Sequence, residues 1–291
     1  MIDLHCHSTA SDGTLTPAEL VDAAMTSGLQ AVALTDHDTT DGLDEFLAAA
    51  ADKPDFLAIP GIELSCQAST GDNCHIVGLF VDPSCPELIA LTAQIRARRD
   101  ERNVRMLARL VELGMPLTME EVVACSGGDV IGRPHFAQAL IARGYCRNPR
   151  EAFQNLLGRG RPAYSGRTPV PAAECLAVLR QASAVTVWAH PMTCCAMTTA
   201  RCRKVVQELQ ANGLDGIEAY YTDHTGTQTQ AVLDIARENG LLVSGGSDFH
   251  GTNLPDIALG RGRGNGFMVP AKLLPPICER AGRALAKPAH P

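Results

Sequence analysis

The chain opens on its most chemically suggestive residues. His5 and His7 flank Cys6 directly after the apolar run Met1-Ile2-Asp3-Leu4, and a Ser/Thr/Gly loop carrying Asp12 follows. Two imidazoles at i and i+2 after a strand can turn together into a loop-lined pocket, and neutral imidazole is a common ligand of divalent metals. For an isolated His-x-His, two hydrogen-bonded surface histidines would be the better reading. The rest of the chain reverses that preference. Further donors recur at matching places: His37 after the apolar run 31–35, Glu63 at the end of 56–64, and His75 at the mouth of 75–81. His190 follows 185–189, and Asp248 and His250 follow 241–244. With His5, His7 and Asp12 this makes nine candidate ligands. One active-site zinc takes about three protein ligands and a water. Nine donors therefore imply two or three metals, with a carboxylate such as Glu63 bridging.

These donors need a scaffold that gathers strand ends. Thr16-Pro17-Ala18-Glu19 reads as a helix opening, with a Thr cap, Pro at the first helical position and Glu three residues after the cap. A helix to about Ser27, a strand at 31–35, a helix over 40–51, a strand at 56–64 broken by Pro60-Gly61 and a strand at 75–81 follow. From Pro86 to Tyr164 the pattern is helical: a long helix over 86–113, then shorter ones over 119–125, 133–143 and 149–157. Alternation resumes with helix 171–182, strand 185–189, helix 200–212, strand 216–220, helix 227–239 and strand 241–244, and a helix over about 270–283 closes the chain. Repeated βα units imply a parallel sheet, and about seven strands can close an incomplete TIM-like barrel. Such barrels place their chemistry at the carboxyl ends of the strands, where these donors fall. The expected fold is α/β, a distorted TIM-like (β/α)7 barrel over residues 1–85 and 165–291, with an inserted all-helical cap at 86–164.

Composition narrows the function. A net charge of −7 argues against a broadly basic nucleic-acid coat. The eleven cysteines are odd in number and form no Cys-x-x-Cys pair, and Cys194-Cys195 are adjacent. Reduced, mostly packed thiols are expected, with Cys6 facing the core. No leader-like segment precedes Ile2 and no apolar run approaches the roughly 20 residues of a membrane span, so a cytoplasmic location is expected. The segment Gly260-Arg-Gly-Arg-Gly264 reads as a flexible loop. The arginines at 96, 98, 99, 102, 105 and 109 recur around much of their helix and read as a solvated surface.

The motifs His5-x-His7, Asp12, Thr35-Asp36-His37-Asp38, Gly61-Ile62-Glu63, His75, Ala189-His190-Pro191 and Ser247-Asp248-Phe249-His250 together resemble the set of the PHP (polymerase and histidinol phosphatase) family. The likeness covers 1–81 and 184–251 with no ligand position missing. Within the family the chain is most similar to the stand-alone bacterial group whose helical insertion carries Ile131-Gly132-Arg133-Pro134-His135. Members of that group hydrolyse nucleoside 3′,5′-bisphosphates to the 5′-monophosphate, and relatives trim short RNA from its 5′ end. The resemblance implies that His5, His7, Glu63 and Asp248 hold one metal, Asp12, His37 and His250 a second, and Glu63, His75 and His190 a third. It implies manganese first, with zinc, iron or magnesium as alternatives. Asp38 would orient a ligand or cap a helix.

Physical chemistry leads the same way. Three divalent ions would more than offset the carboxylates of Asp12, Glu63 and Asp248, leaving a cationic pocket in a net-acidic protein. Clustered cations can activate a water, clamp phosphoryl oxygens and stabilise a leaving oxygen. Asp12 and His37, among the ligands, and His224 are the candidate catalytic side chains. His224 ends the strand that contains Tyr220 and could touch substrate or protonate a leaving alkoxide, structural hydrogen bonding being the alternative. Arg133 and His135, at the opening of a helix, are candidates for binding a second, non-reacting phosphate, and Arg159 and Arg161 for reaching the pocket from the cap boundary. The expected activity is removal of the 3′-phosphate from a small nucleoside 3′,5′-bisphosphate. The rivals are a 5′→3′ exoribonuclease on short RNA, a histidinol phosphate phosphatase, an amidohydrolase and a non-catalytic metal-stabilised binding module. Neither a membrane, a stable DNA partner nor an obligate protein partner is expected.

Overall fold

A computed structural model describes residues 1–128, 130–166, 168–193, 197–264 and 266–283. The N-terminal part runs β1 (Ile2–Cys6), α1 (Pro17–Thr26), β2 (Ala31–Leu34), α2 (Leu43–Ala50), β3 (Leu57–Gln67) and β4 (Asn73–Leu79). Thr16 and Glu19 form the expected capping box on α1. A helical block follows: α3 (Pro86–Glu112), α4 (Met119–Val123), α5 (Arg133–Ala142) and α6 (Pro149–Ala152), the last continued by a π-helical turn, Phe153–Leu157. The rest comprises β5 (Val170–Pro171), α7 (Ala172–Gln181), β6 (Val185–Trp188), α8 (Thr199–Ala211), β7 (Gly216–Tyr221), α9 (Gly226–Asn239) and β8 (Leu242–Gly246). A short antiparallel pair, β9 (Ile257–Ala258) with β10 (Gly262–Arg263), and α10 (Leu274–Arg280) end the described chain. The Gly260–Gly264 segment is thus partly a hairpin, and the long C-terminal helix expected from Pro270 is a 3₁₀ turn followed by the shorter α10.

Seven strands lie in the order β1-β2-β3-β4-β6-β7-β8, with β5 paired to β3, and the sheet curls into a nearly closed barrel. The segment after β8 returns to β1 through Asp248 N–H donating to the His5 carbonyl and His7 N–H to the Phe249 carbonyl, both at 2.9 Å. Gly246 permits this approach: a Cβ there would lie 2.8 Å from the His5 Cα. The sheet is not wholly parallel, as the βα reading expected. β4 runs antiparallel to both β3 and β6. Residues 68–72 join β3 to β4 without a helix, and so short a connection can only reverse the chain. Nor does Pro60-Gly61 break β3. Pro60 occupies the last pairing with β2 and its carbonyl accepts from Val81. Glu63 therefore sits inside the strand rather than at its end.

Strand alternation builds two apolar clusters. Ile2, Leu4, Ala31, Ala33, Val185 and Val187 fill the barrel with Ile277 of α10 against them, while Val32, Leu34 and Cys6 face the surrounding helices. A register irregularity between Asp3 and Cys6 changes the parity of β1, so Cys6 packs outward beside two site histidines. The helical block has its own cluster, including Met106, Leu110, Phe136, Leu140 and Leu157. One helix serves both cores: Leu88, Leu91 and Ile95 of α3 pack on the barrel, and Met106 and Leu110 in the block. Among the described residues no helix is long and apolar enough to cross a membrane. Nine described cysteines form no disulfide with one another, and Cys194-Cys195 lie outside the described residues.

Candidate metal centre

Nine side chains from six segments converge at one barrel mouth. Glu63, fully buried in β3, lies at the middle. Its Oε1 is 2.8 Å from His75 Nδ1, 2.9 Å from His190 Nε2 and 3.4 Å from His5 Nε2. Its Oε2 is 2.6 Å from His37 Nδ1 and 3.5 Å from His7 Nε2. Asp248 Oδ1 lies 3.1 Å from His7 Nε2 and 3.5 Å from His5 Nε2, and Asp12 Oδ1 lies 3.2 Å from His250 Nε2 and 3.9 Å from His37 Nε2. Donor atoms fall within 4.8 Å of one another in four overlapping groups: His7–Asp12–His37–His250, His5–His190–Asp248, His5–His7–Glu63 and His37–Glu63–His75. Here Asp248 gathers with His5 and His190, and His75 with Glu63 and His37, a partition that overlaps the one the resemblance implies without repeating it.

The loops bearing these donors are held from behind. Asp36 accepts from Ser8 N–H at 2.8 Å and from the Ser8 and Ser11 hydroxyls at 2.6 and 2.5 Å, fixing the loop before Asp12. Asp3 accepts from Ser247 N–H at 2.9 Å, the Ser247 hydroxyl at 2.6 Å and Gly260 N–H at 2.8 Å, fixing the loop of Asp248 and His250. Burial raises the pKa of both carboxyls against these lowering bonds.

Charge within the cluster is set by mutual proximity. Burial opposes ionisation of Asp12, Glu63 and Asp248, yet the imidazoles around them hold all three well below the usual carboxylate range. Burial also opposes charge on His250, but Asp12 and Asp248 raise its pKa to about 10. His7 goes the other way, lowered to about 3 by burial and by His250 and His37. His5 Nε2, both ring nitrogens of His7, His37 Nδ1 and Glu63 Oε2 are buried with no hydrogen-bond partner. Unsatisfied buried groups are costly. Imidazole and carboxylate donor atoms gathered this closely, several of them buried without a hydrogen-bond partner, fit divalent cations.

The remaining predicted residues separate. Arg133 and Arg159 line a cleft of about 420 Å³ that also reaches Asp12, His37 and His75. The Arg133 guanidinium lies 5.9 Å from the Phe153 ring and 5.8 Å from the Tyr164 ring. His135 is buried and accepts from Gly132 N–H through Nδ1 at 3.1 Å, capping its own helix. His224 lies beside Tyr221, its Nδ1 3.1 Å from the Ala219 carbonyl and its Nε2 accepting from Met192 N–H at 3.4 Å. Burial lowers its pKa. The Nδ1 bond to a carbonyl oxygen assigns the proton of the neutral ring to Nδ1.

Sequence reading missed four residues. Glu218 in β7 places Oε1 3.1 Å from His5 Nδ1, and its Oε2 accepts from His190 N–H at 2.7 Å. Its signal was a lone acid inside an apolar strand. The Tyr221 hydroxyl donates to Asp248 Oδ2 at 2.9 Å. Arg99 and Arg102 are only 8% and 5% exposed, so the solvated-surface reading of the α3 arginines fails there. They continue the buried series Leu88, Leu91, Ile95, Met106 at three- and four-residue steps, and both line the cleft.

A curled α/β barrel with a multi-donor centre at its mouth is the frame of a metal-dependent hydrolase, and the comparisons make the class a metal-dependent phosphoesterase. The chain belongs to the PHP domain family, which matches residues 3–154. It is 36% identical over 248 residues to a 5′-3′ exoribonuclease of Haemophilus influenzae, covering 85% of this chain and 89% of that one. It is 35% identical over 289 residues to a 3′,5′-nucleoside bisphosphate phosphatase of Chromobacterium violaceum, covering 98% and 96%. A crystal structure from Bifidobacterium adolescentis, described as a metal-dependent phosphoesterase, superposes with a TM-score of 0.84 at 31% identity over 96% of each chain.

Proposed function

We propose that this hydrolase removes the 3′-phosphate of nucleoside 3′,5′-bisphosphates, such as adenosine 3′,5′-bisphosphate, leaving the 5′-monophosphate. The observation that carries this reading is the cleft. Asp12, His37 and His75 of the donor cluster line it together with Arg133 and Arg159. Its volume of about 420 Å³ lies in the range of single small-ligand sites. One phosphate at the metal cluster and one at Arg133 describe a bisphosphate, and the relative matched over 98% of this chain carries that activity in its name. In this reading residues 86–164 form a cap that supplies the two arginines. His5, His7, Asp12, His37, Glu63, His75, His190, Asp248 and His250 would hold two or three ions, manganese foremost. When bound, the ions would supply Lewis-acid polarisation of phosphoryl oxygens and a lowered pKa for the attacking water. The chain's own part is to orient the ligands through Glu218, Asp36 and Asp3 and to hold the second phosphate.

The second reading, a 5′→3′ exoribonuclease on short RNA, draws support from the relative of 36% identity. Phosphate release from adenosine 3′,5′-bisphosphate with manganese, beside shortening of a 5′-phosphorylated RNA trinucleotide, separates the two. Fast release with AMP as product and slow RNA cleavage is expected. Efficient shortening of the RNA would make the bisphosphate the last substrate of an exonuclease.

A further inference from the structure

We propose that Arg99 is a catalytic residue that contacts the reacting phosphoryl group, and that Asp38 positions it. This rests on the phosphoesterase chemistry of the site but not on which phosphoester is cleaved. Arg99 comes from the helical block and enters the barrel mouth. Its Nε donates to Asp38 Oδ2 at 2.9 Å, and its Nη2 to the same carboxylate and to the Ser65 hydroxyl. Asp38 is fully buried and takes the left-handed backbone conformation, φ 55°. Its Oδ1 is also held, by Ser65 N–H at 2.8 Å. One edge of the guanidinium is therefore locked.

The opposite edge faces the cleft. Nη1 makes no hydrogen bond with any described residue, and Arg99 is among the cleft-lining side chains. Gly132 marks where Nη1 points: a Cβ built there would lie 4.0 Å from Arg99 Nη1 and 3.8 Å from Asp12 Oδ2. The free donor thus opens onto the space beside Asp12. The charge of Arg99 also acts on His37, Arg133 and His135, and the cleft it lines is shared with His37 and Arg133. Solvation alone would not draw a guanidinium into so buried a place, and pairing with Asp38 engages only one of its edges. A preorganised donor aimed where phosphoryl charge develops is worth more in such a site than in water. Arg99 would stabilise the reacting group, while Arg133 would hold the second phosphate.

Two substrates separate these roles, because p-nitrophenyl phosphate has only the reacting phosphoryl. With manganese bound, Arg99→Lys keeps a cation beside Asp38 but loses the second, cleft-facing edge. Its kcat/KM is expected to fall about 100-fold on both p-nitrophenyl phosphate and adenosine 3′,5′-bisphosphate. Its affinity for inorganic phosphate by calorimetry should fall about tenfold, with the melting temperature held. Asp38→Asn, which frees the guanidinium without removing it, should lower kcat less than Arg99→Lys does. A loss confined to the bisphosphate, or an unchanged phosphate affinity in Arg99→Lys, would overturn the proposal. If the wild-type protein ignores the bisphosphate yet Arg99→Lys loses phosphate affinity, the bisphosphate reading falls and the role of Arg99 stands.

Discussion

The carboxylate of Glu218 lies 3.1 Å from His5 Nδ1, and its second oxygen accepts the backbone N–H of His190 at 2.7 Å. Two candidate ligands are oriented by one buried acid. An Nδ1–H donated to Glu218 leaves His5 Nε2, which has no other partner, directed at Glu63 and Asp248. A carboxylate behind a ligating imidazole fixes its tautomer and raises its basicity. Glutamine at 218 has one acceptor end and cannot serve both donors. Glu218→Gln should therefore weaken metal binding by about 10- to 100-fold, measured by titrating manganese into chelator-treated protein. Unchanged affinity would reduce Glu218 to a packing role.

Removing the ions should cost stability as well as activity. Five buried donor atoms without partners sit at the mouth of the barrel, and the negative side chains Asp12, Glu63 and Asp248 lie among them. A ligand that binds only the folded chain stabilises it by about 2.7 kcal/mol at a free concentration of 100 Kd. Thermal melts after chelation, and again after adding manganese, should show a lower transition that recovers. A transition indifferent to both treatments would mean that the cluster satisfies itself without metal.

Tyr221 offers a subtler test of the same shell. Its hydroxyl donates to Asp248 Oδ2, leaving Oδ1 toward His7 and His5. Tyr221→Phe keeps the ring against His190 and deletes only that hydrogen bond. Metal affinity should drop by up to about tenfold while the fold survives. No change in affinity would show that Asp248 needs no such partner.

Local signals in the sequence were reliable where the physics is local. Thr16 and Glu19 meet within a single helical turn, so their capping box follows from spacing alone. The donors at strand ends were legible because apolar runs followed by His or Asp mark where buried strands stop. The direction of β4 was not, since it depends on which strands pair, and Glu63 was misplaced within β3 for the same reason. Arg99 was hidden more thoroughly. One arginine among six on a helix reads as solvated, and its partner Asp38 lies 61 residues away in sequence. The interruption of an apolar stripe by Arg99 and Arg102 was the available signal.

Arg133 should decide substrate rather than chemistry. It lies half-buried between Phe153 and Tyr164, so rings from the helical block order it before any substrate arrives. Burial lowers its pKa without threatening its charge near neutral pH. Losing a charge-assisted bond of about 1.5–3 kcal/mol should cut kcat/KM for adenosine 3′,5′-bisphosphate by roughly 10- to 100-fold in Arg133→Ala. Hydrolysis of p-nitrophenyl phosphate should stay close to wild type. Phe153→Ala and Tyr164→Ala, which leave the cation but loosen it, should raise KM for the bisphosphate less, because each stacking contact is worth about 0.5–2 kcal/mol. Equal losses on both phosphates would place Arg133 at the reacting group and remove the second-phosphate site from the cap.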